Sequence, residues 1–396
     1  MEGEMDPIWQ VAEQFTLEGT VVDVREYGNG NINDTYLVTV SCNDDGDMSG
    51  ENRFILQRIN THVFTNPQLI TRNLRTFTEH AINRLKGTEV EVPFRWEIPQ
   101  IYVTQSGEDY HIDSRGSFWR AISFVNQSHS YDTALSDCHA REVGYALGRF
   151  QSLTSDLNTE LMYDTLVGYH ITPRYLGKYD EIMNRNPRVV HSPEAQYCQH
   201  MIAAHRSGAS VLEDAKGSGE LQMRIIHGDP KINNIMICDL TGQAVSVIDL
   251  DTVKPGLVHY DIGDCLRSSC NPLGEETTDF ENIRFDIRLA RSILEGYFSI
   301  ANDFLTENDY AYMYDAIWLI PFELGLRFFS DYLVGNVYFK VKHEQHNLER
   351  ALVQFKLMES IEAQSPEIRA IISDLKGGTA NITQIRSEKN HESQYR

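Results

Sequence analysis

Apolar and polar positions alternate in short runs through the first third of the chain, and the runs are rich in β-branched and aromatic residues. Segments 21–27, 35–41 and 53–59 have this character, separated by Gly and Asn, and predict antiparallel strands joined by turns. The connector NDDGDMSGEN before the third run is polar and acidic, the composition of an exposed hairpin loop. Residues 67–85 then predict a helix, with Asn66 at its N-cap and Pro67 in its first turn. Two more strands are expected at 98–104 and 118–125.

From Ser136 the spacing of apolar residues becomes helical, as in REVGYALGRFQSL, so the β-rich part ends near residues 126–130. Short apolar strands interrupt the helices between 220 and 255, in RIIHGD, NIMICD and AVSVIDLD, and each ends in or beside a polar cluster. After Thr277 the helical pattern resumes through SILEGYF, AIWLIPFELGLRFFSDYL and HNLERALVQFKLMESI. The expectation is an α+β chain with a β-rich part at 1–126, a mainly helical part at 127–376 and a polar, fraying tail at 377–396.

With 396 residues, 41% hydrophobic and 23% charged, the chain has the composition of a folded protein and not of a disordered one. Its 35 basic and 57 acidic residues give a net charge of −22, which argues against broad electrostatic adhesion to nucleic acid or anionic membrane without identifying a cationic substrate. The six cysteines show no Cys-x-x-Cys pair or zinc spacing and are expected as reduced, mostly buried thiols. The acidic start MEGEMDPIWQVAEQF has the features of neither a signal nor a transit peptide, and no run reaches the roughly 18 apolar residues of a membrane span. A cytoplasmic location and small-molecule partners are the expectation; the oligomeric state is not fixed by the sequence.

The chemistry concentrates in HGDPKINNIMICDLTGQAVSVIDLDTV. Asp229 follows His227 and Gly228, Asn234 comes five residues later, and Asp249 ends an apolar strand. Phosphoryl transfer from a nucleotide needs a carboxylate to position and deprotonate the attacking hydroxyl, and oxygen ligands for a Mg²⁺ that bridges the phosphates. This spacing assigns Asp229 as the base and Asn234 and Asp249 as metal ligands. Asp251, two residues on in an extended strand, would share a side with Asp249 and be an outer-shell or second-metal candidate. His227 reads as a hydrogen-bonded scaffold residue. Upstream, EYGNGNINDTYLV puts Gly28 and Gly30 between two strands, where backbone amides can approach phosphate oxygens without Cβ interference. An Asn-Gly hairpin gives the same letters.

These stretches resemble the aminoglycoside phosphotransferase and choline kinase superfamily, which carries His-Gly-Asp or His-Asn-Asp followed by Asn and then Ile-Asp. Within it the chain is similar to the N-acetylhexosamine 1-kinases over nearly its whole length: YGNGNINDTYLV, FILQRIN, WRAISF, HGDPKINNIM, VIDLDTVKPG, YDIGDCLRS, LGLRFFSDYL, VYFK and HNLERALVQFKL. The resemblance implies a bilobal protein-kinase-like fold, a small β-rich lobe over a larger helical one. It also implies ATP-dependent, Mg²⁺-assisted phosphorylation of the anomeric hydroxyl of N-acetylglucosamine or N-acetylgalactosamine. It assigns Asp229, Asp249, Arg327 and Tyr338 to the acceptor side. On the residues alone, Arg327 reads as a surface cation and Tyr338 as a core aromatic.

For the nucleotide, the resemblance points to Gly28, Gly30, Asn31, Gln57, Arg58, Phe124 and Val125, with adenine resting near the last two. Gln57 fills the slot in which most kinase relatives place a phosphate-binding Lys, with Arg58 beside it, and Glu79 has no claim to the usual ion pair. Asn31 stands where some sugar kinases have His, and Gly228 where others have Asn. Rival readings are a kinase of the same superfamily acting on an aminoglycoside, choline or homoserine, and a catalytically weak nucleotide-binding module.

Overall fold

The computed structural model describes residues 7–15, 19–28, 32–41, 51–87, 95–185 and 192–376. Gly30, Asn31, Cys42, most of the acidic connector and the tail expected at 377–396 lie outside them.

The N-terminal part is built on an antiparallel sheet. A short helix, α1 (Pro7–Ala12), precedes strands β1 (Thr20–Glu26), β2 (Asp34–Ser41) and β3 (Glu51–Ile59), helix α2 (Pro67–Gly87), and strands β4 (Ile101–Tyr102), β5 (His111–Ile112) and β6 (Phe118–Ser123). The sheet order is β1-β2-β3-β6-β4, with β5 also on β6. The strand expected at 98–104 shrinks to two residues. Pro99 has no N–H for a ladder, and Thr104 instead makes an isolated bridge to Phe15.

Alternation along the strands gives the sheet two different faces. Tyr36, Val38, Val40, Phe54, Leu56, Trp119 and Ala121 share one face and pack with Val11, Ala12 and Phe15. Gln57 lies directly opposite Arg120 in the β3–β6 register, on the other face, which turns toward the rest of the molecule.

The C-terminal part is mainly helical. Strand β7 (Ser128–His129) leaves the first sheet, and helices α3 (Asp137–Thr154), α4 (Thr172–Asn184), α5 (Pro193–His205) and α6 (Val211–Gly217) follow. The hairpin-like strands β8 (Arg224–Ile226), β9 (Ile235–Cys238), β10 (Ala244–Val247) and β11 (Lys254–Gly256) precede α7 (Val258–Ser269), α8 (Ile287–Ala301), α9 (Glu307–Ala311), α10 (Met313–Val334), α11 (His346–Ala363) and α12 (Ser365–Leu375). Ser136 caps α3 by accepting from the His139 N–H at 3.2 Å. Helices α3 and α8 cross almost in backbone contact. A Cβ on Gly144 would lie 1.9 Å from the Ile293 carbonyl oxygen, and one on Gly296 1.9 Å from that of Arg141, so both positions need glycine.

The described cysteines are free thiols, buried except for Cys138. Among the described residues no helix is long and apolar enough to cross a membrane.

Candidate active site

Strand β8 delivers the chain to His227, Gly228 and Asp229, and β11 pairs with it antiparallel, Lys254 opposite Ile226. The second acidic stretch is thereby folded back beside the first. Gly228 has φ +87°, and a Cβ there would stand 2.7 Å from the Thr252 carbonyl oxygen, so no other residue fits without a shift. The His227 and Gly228 N–H groups donate to the buried Asp261 carboxylate of α7 at 2.9 and 2.8 Å. Gln151 donates to the same carboxylate at 3.0 Å and is itself held by the Tyr297 hydroxyl at 2.6 Å. His227 Nε2 donates to the Ile248 carbonyl at 2.9 Å while Nδ1 accepts from the Asp229 N–H at 3.3 Å. With both nitrogens engaged, this imidazole braces the loop.

Asp229 stands at the end of this braced loop, its side chain 24% exposed, with Lys231 Nζ 2.8 Å from Oδ2. Burial works to raise its pKa, but the charge and hydrogen bond of Lys231 hold it below the ordinary carboxylate value. Asn234 closes a one-turn 3-10 segment (Ile232–Asn234). Its Nδ2 donates to the Asp229 carbonyl at 2.7 Å, which leaves its amide oxygen available to a cation. The Ile248 N–H donates to the Asn234 carbonyl at 2.9 Å and so ties the two loops together next to Asp249.

Asp249 is in the left-handed region, φ +61°, and is exposed on the cleft. Its pKa is pushed up to about 6, first by its deep setting and then by the negative charges of Asp251 and Asp229, against the pull of Lys231. The Asn234 amide oxygen and the Asp249 carboxylate, which forms no ion pair among the described residues, are two hard oxygen donors that suit a divalent cation. Among the described residues no group of three or more His, Cys, Asp or Glu converges, so such a cation would complete its shell with phosphate and water, as Mg²⁺ does.

Asp251 departs from expectation. The left-handed turn at Asp249 and the 3-10 segment Leu250–Thr252 replace an extended strand, so the two carboxylates do not share a side. Asp251 is buried, accepts from Asn33 Nδ2 at 2.5 Å and forms an ion pair with Arg120.

On the small sheet, Gln57 faces the cleft and its Oε1 accepts from Arg120 Nη2 at 2.7 Å and Nε at 3.1 Å. Arg58, expected at the phosphates, is a correction. Strand alternation puts it on the opposite face, 2.5 Å from Asp34 and over the Trp119 ring. Gly28 has φ +75° just after β1, and the neighbouring Tyr27 ring meets Phe124 edge-on, with centroids 5.7 Å apart. Val125 is buried and packs with Met236, Cys238 and Val245. Glu79 is exposed and pairs with Arg75.

A cavity of about 490 Å³ lies beside this centre, lined among others by Tyr169, Tyr175, Arg327, Ser330, Tyr338 and Phe339. Tyr169 links it to Asp229. Its hydroxyl is raised well above the ordinary tyrosine value, first by burial and then by the nearby Asp229 charge. Arg327 and Tyr338 reverse the reading from residues alone: Arg327 is 12% exposed and Tyr338 52%. The Arg327 guanidinium lies over Tyr169, Tyr175 and Phe339, with centroids 5.1, 5.0 and 5.5 Å away. Its ion-pair partner Glu323 is 4.0 Å away, and among the described residues it donates no hydrogen bond. Ser330 Oγ, also in the wall, is buried and unpartnered.

Acidic side chains order the cavity wall. The Asp331 carboxylate accepts from the N–H groups of Val337, Tyr338 and Phe339 at 2.9, 2.8 and 3.0 Å, which sets Tyr338 at the mouth. Glu323 accepts from Thr172 at 2.7 Å and faces His170 Nδ1 at 3.1 Å, while His170 Nε2 donates to the Gly228 carbonyl at 2.7 Å. Lys254 Nζ holds Asp164 at 2.8 Å and the Leu166 carbonyl at 3.1 Å.

Sequence reasoning missed Arg120, Lys231, Asp261, His170 and Glu323. Three of them carried a signal: a cation inside the apolar strand WRAISF, a lysine two residues after the base, and a carboxylate inside the helical run YDIGDCLRS.

Residues 23–298 match the phosphotransferase enzyme family, APH. Among solved structures, the chain is similar to an aminoglycoside phosphotransferase from Alicyclobacillus acidocaldarius, with 16% identity over 94% of this chain and 98% of that one, TM-score 0.60. It is also similar to an amicoumacin kinase in complex with AMP-PNP and Ca²⁺, at 14% identity over 90% and 93% of the two chains, TM-score 0.53. A Plasmodium vivax ethanolamine kinase matches at 14% identity over 88% and 84%, TM-score 0.51. These likenesses are of fold: an antiparallel-sheet part followed by a helical part, as in kinases.

Proposed function

Since the chain belongs to the phosphotransferase enzyme family, we propose that it phosphorylates the anomeric hydroxyl of N-acetylglucosamine or N-acetylgalactosamine from ATP. The observation that carries the acceptor class is Arg327, a cation with unengaged N–H groups set among aromatic faces beside the base. Such a site offers donors to hydroxyl and acetamido oxygens and flat apolar surfaces to the C–H face of a sugar ring. The acids in the wall are already engaged, Asp331 by backbone N–H groups and Asp164 by Lys254, so they offer little to an ammonium group. A cationic acceptor would meet the Arg327 charge instead. The choice of N-acetylhexosamine and of its C1 hydroxyl rests on the sequence resemblance described above.

In this reading the acceptor sits in the Arg327 cavity with its C1 oxygen toward Asp229. Asp229, kept ionised by Lys231, accepts the hydroxyl proton as that oxygen bonds to the γ-phosphorus and the bond from γ-phosphorus to the β–γ bridging oxygen breaks. The products are the sugar 1-phosphate and ADP. Asn234 and Asp249 would hold Mg²⁺, whose charge offsets that of the phosphates. Lys231, at 2.8 Å from Asp229, adds a positive charge where negative charge moves. Gly28, Phe124 and Val125 border the nucleotide; Gly30 and Asn31 remain part of the same assignment.

The test is a product assay with ATP, Mg²⁺ and a panel of acceptors, the phosphate position read by NMR. A 1-phosphate of an N-acetylhexosamine is the expected product. Preferential phosphorylation of kanamycin, choline or homoserine would sink the sugar reading and leave the phosphotransferase standing.

A further inference from the structure

We propose that Arg120 is the small-lobe cation that binds the nucleotide's phosphates, one strand over from the Gln57 position. The proposal rests on the phosphotransferase reading and is independent of which acceptor the enzyme uses.

A triphosphate carries several negative charges, and a cleft that holds it needs cations from both sides. The large lobe supplies Lys231. On the small sheet Gln57 is neutral and Arg58 lies on the far face, paired with Asp34. Arg120 is in register with Gln57 and on the same face of the sheet, so its guanidinium lies beside the Gln57 side chain. The group is fixed on two sides: Gln57 Oε1 accepts from Nε and Nη2, and the Asp251 carboxylate accepts from Nη2. Asp251 is in turn held by Asn33, just before β2.

The third edge is free. Arg120 is 1% exposed, yet its Nη1 is buried with no hydrogen-bond partner. An unsatisfied charged N–H in a protein interior is costly, and a guanidinium edge is shaped for a phosphate oxygen. The groups fixed around the guanidinium are Gln57 on β3, Asp251 on the loop that carries Asp249 and, through Asp251, Asn33 just before β2. A phosphate group held between Asn33 and that loop would have Nη1 as its small-lobe donor. The pairing with Asp251 also ties the small sheet to the metal-bearing loop, so one side chain both binds and aligns.

The experiment measures binding of AMP-PNP with Mg²⁺ by calorimetry, without acceptor, in the wild type, Arg120→Met and Gln57→Lys/Arg120→Met. Arg120→Met should weaken binding at least about 10-fold. Returning a cation to the third strand in the double variant should recover a large part of the loss, with KM for ATP following the same order and KM for the acceptor unmoved. If Arg120→Met alone does not fold, the comparison is made against Arg120→Met/Asp251→Asn, neutral at both positions. Wild-type affinity in either neutral variant, or a folded double variant that the lysine does not improve, would overturn the proposal and leave Arg120 a structural brace. A wild-type chain that does not bind Mg²⁺·AMP-PNP would instead remove the nucleotide reading itself.

Discussion

His170 and Glu323 form a buried pair, Nδ1 to Oε1 at 3.1 Å, that connects the acceptor cavity to the catalytic loop. The carbonyl of Gly228 accepts from Nε2 at 2.7 Å, and Glu323 lies one turn before Arg327 on α10. A carbonyl can only accept, and Glu323 is held below its usual carboxylate value. Both contacts favour a hydrogen on each ring nitrogen, so the pair stabilises the imidazolium form of His170.

The pH dependence follows. Burial pulls the His170 pKa down, but the charge of Glu323, its hydrogen bond and the Gly228 carbonyl together leave it raised above the ordinary value. The groups around it are Glu323, Tyr169, Tyr260 and, further off, Asp264 and Arg327. A raised folded pKa contributes stability that is fully present below about pH 6.5 and lost as pH climbs through the folded value. The Tm of the wild type should exceed that of His170→Gln most at mildly acidic pH, and the gap should narrow on alkaline titration. A gap independent of pH would mean the pair is not ionised.

If Asp229 is the base, as proposed, Asp229→Asn removes the proton acceptor while keeping size and the contact with Asn234. We expect kcat to fall at least about 10²-fold with affinity for Mg²⁺·AMP-PNP retained. Loss of the Lys231 pair should be tolerated by the fold because both side chains reach solvent. An unchanged kcat would remove Asp229 from the mechanism, and a collapse of Tm would mark it as structural.

At the metal site, Asp249→Ala should abolish turnover and weaken the Mg²⁺-dependent part of nucleotide binding, because it deletes the carboxylate a hard cation prefers. Asn234→Ala should act in the same direction and less severely. Calorimetry with and without Mg²⁺ separates the two contributions. Nucleotide binding and turnover that neither substitution alters would show that the cation, if any, is held elsewhere.

The parts of the site legible in the sequence are those fixed by local spacing. Asp229, Asn234 and Asp249 sit on two loops joined by short strands, and short apolar runs marked those strands. The side chains that escaped notice act across distance in the chain: Arg120 meets Asp251 131 residues away, and His170 meets Glu323 153 residues away. No periodicity encodes such a pair. Asp251 was misread because nothing in IDLD announces a left-handed residue at Asp249. Arg327 carried a cue that the residue-by-residue reading underweighted, since a helix that is apolar on nearly every side is buried, and a cation within it needs a reason.

That reason is the subject of the last prediction. Arg327→Ala removes a guanidinium held flat among the rings of Tyr169, Tyr175 and Phe339, and Tyr338→Ala removes the ring that Asp331 places at the cavity mouth. If both contact the acceptor, polar groups of the bound sugar lose partners at about 1–3 kcal/mol each, the higher end applying to the charged donor. Each variant should then lose roughly 10-fold or more in kcat/KM for an N-acetylhexosamine. The KM for ATP should stay put, because neither residue borders the Gly28 and Phe124 side of the cleft. Arg327 is partly buried and Tyr338 is exposed, so Tyr338→Ala should leave Tm nearly unchanged and gives the cleaner readout. Removing the Arg327 charge should also relax the bias against cationic acceptors, so that the ratio of kcat/KM for N-acetylglucosamine over an amino sugar falls in Arg327→Ala and not in Tyr338→Ala. An unchanged ratio would show that the guanidinium does not set the charge preference of this cavity, whatever sugar it binds.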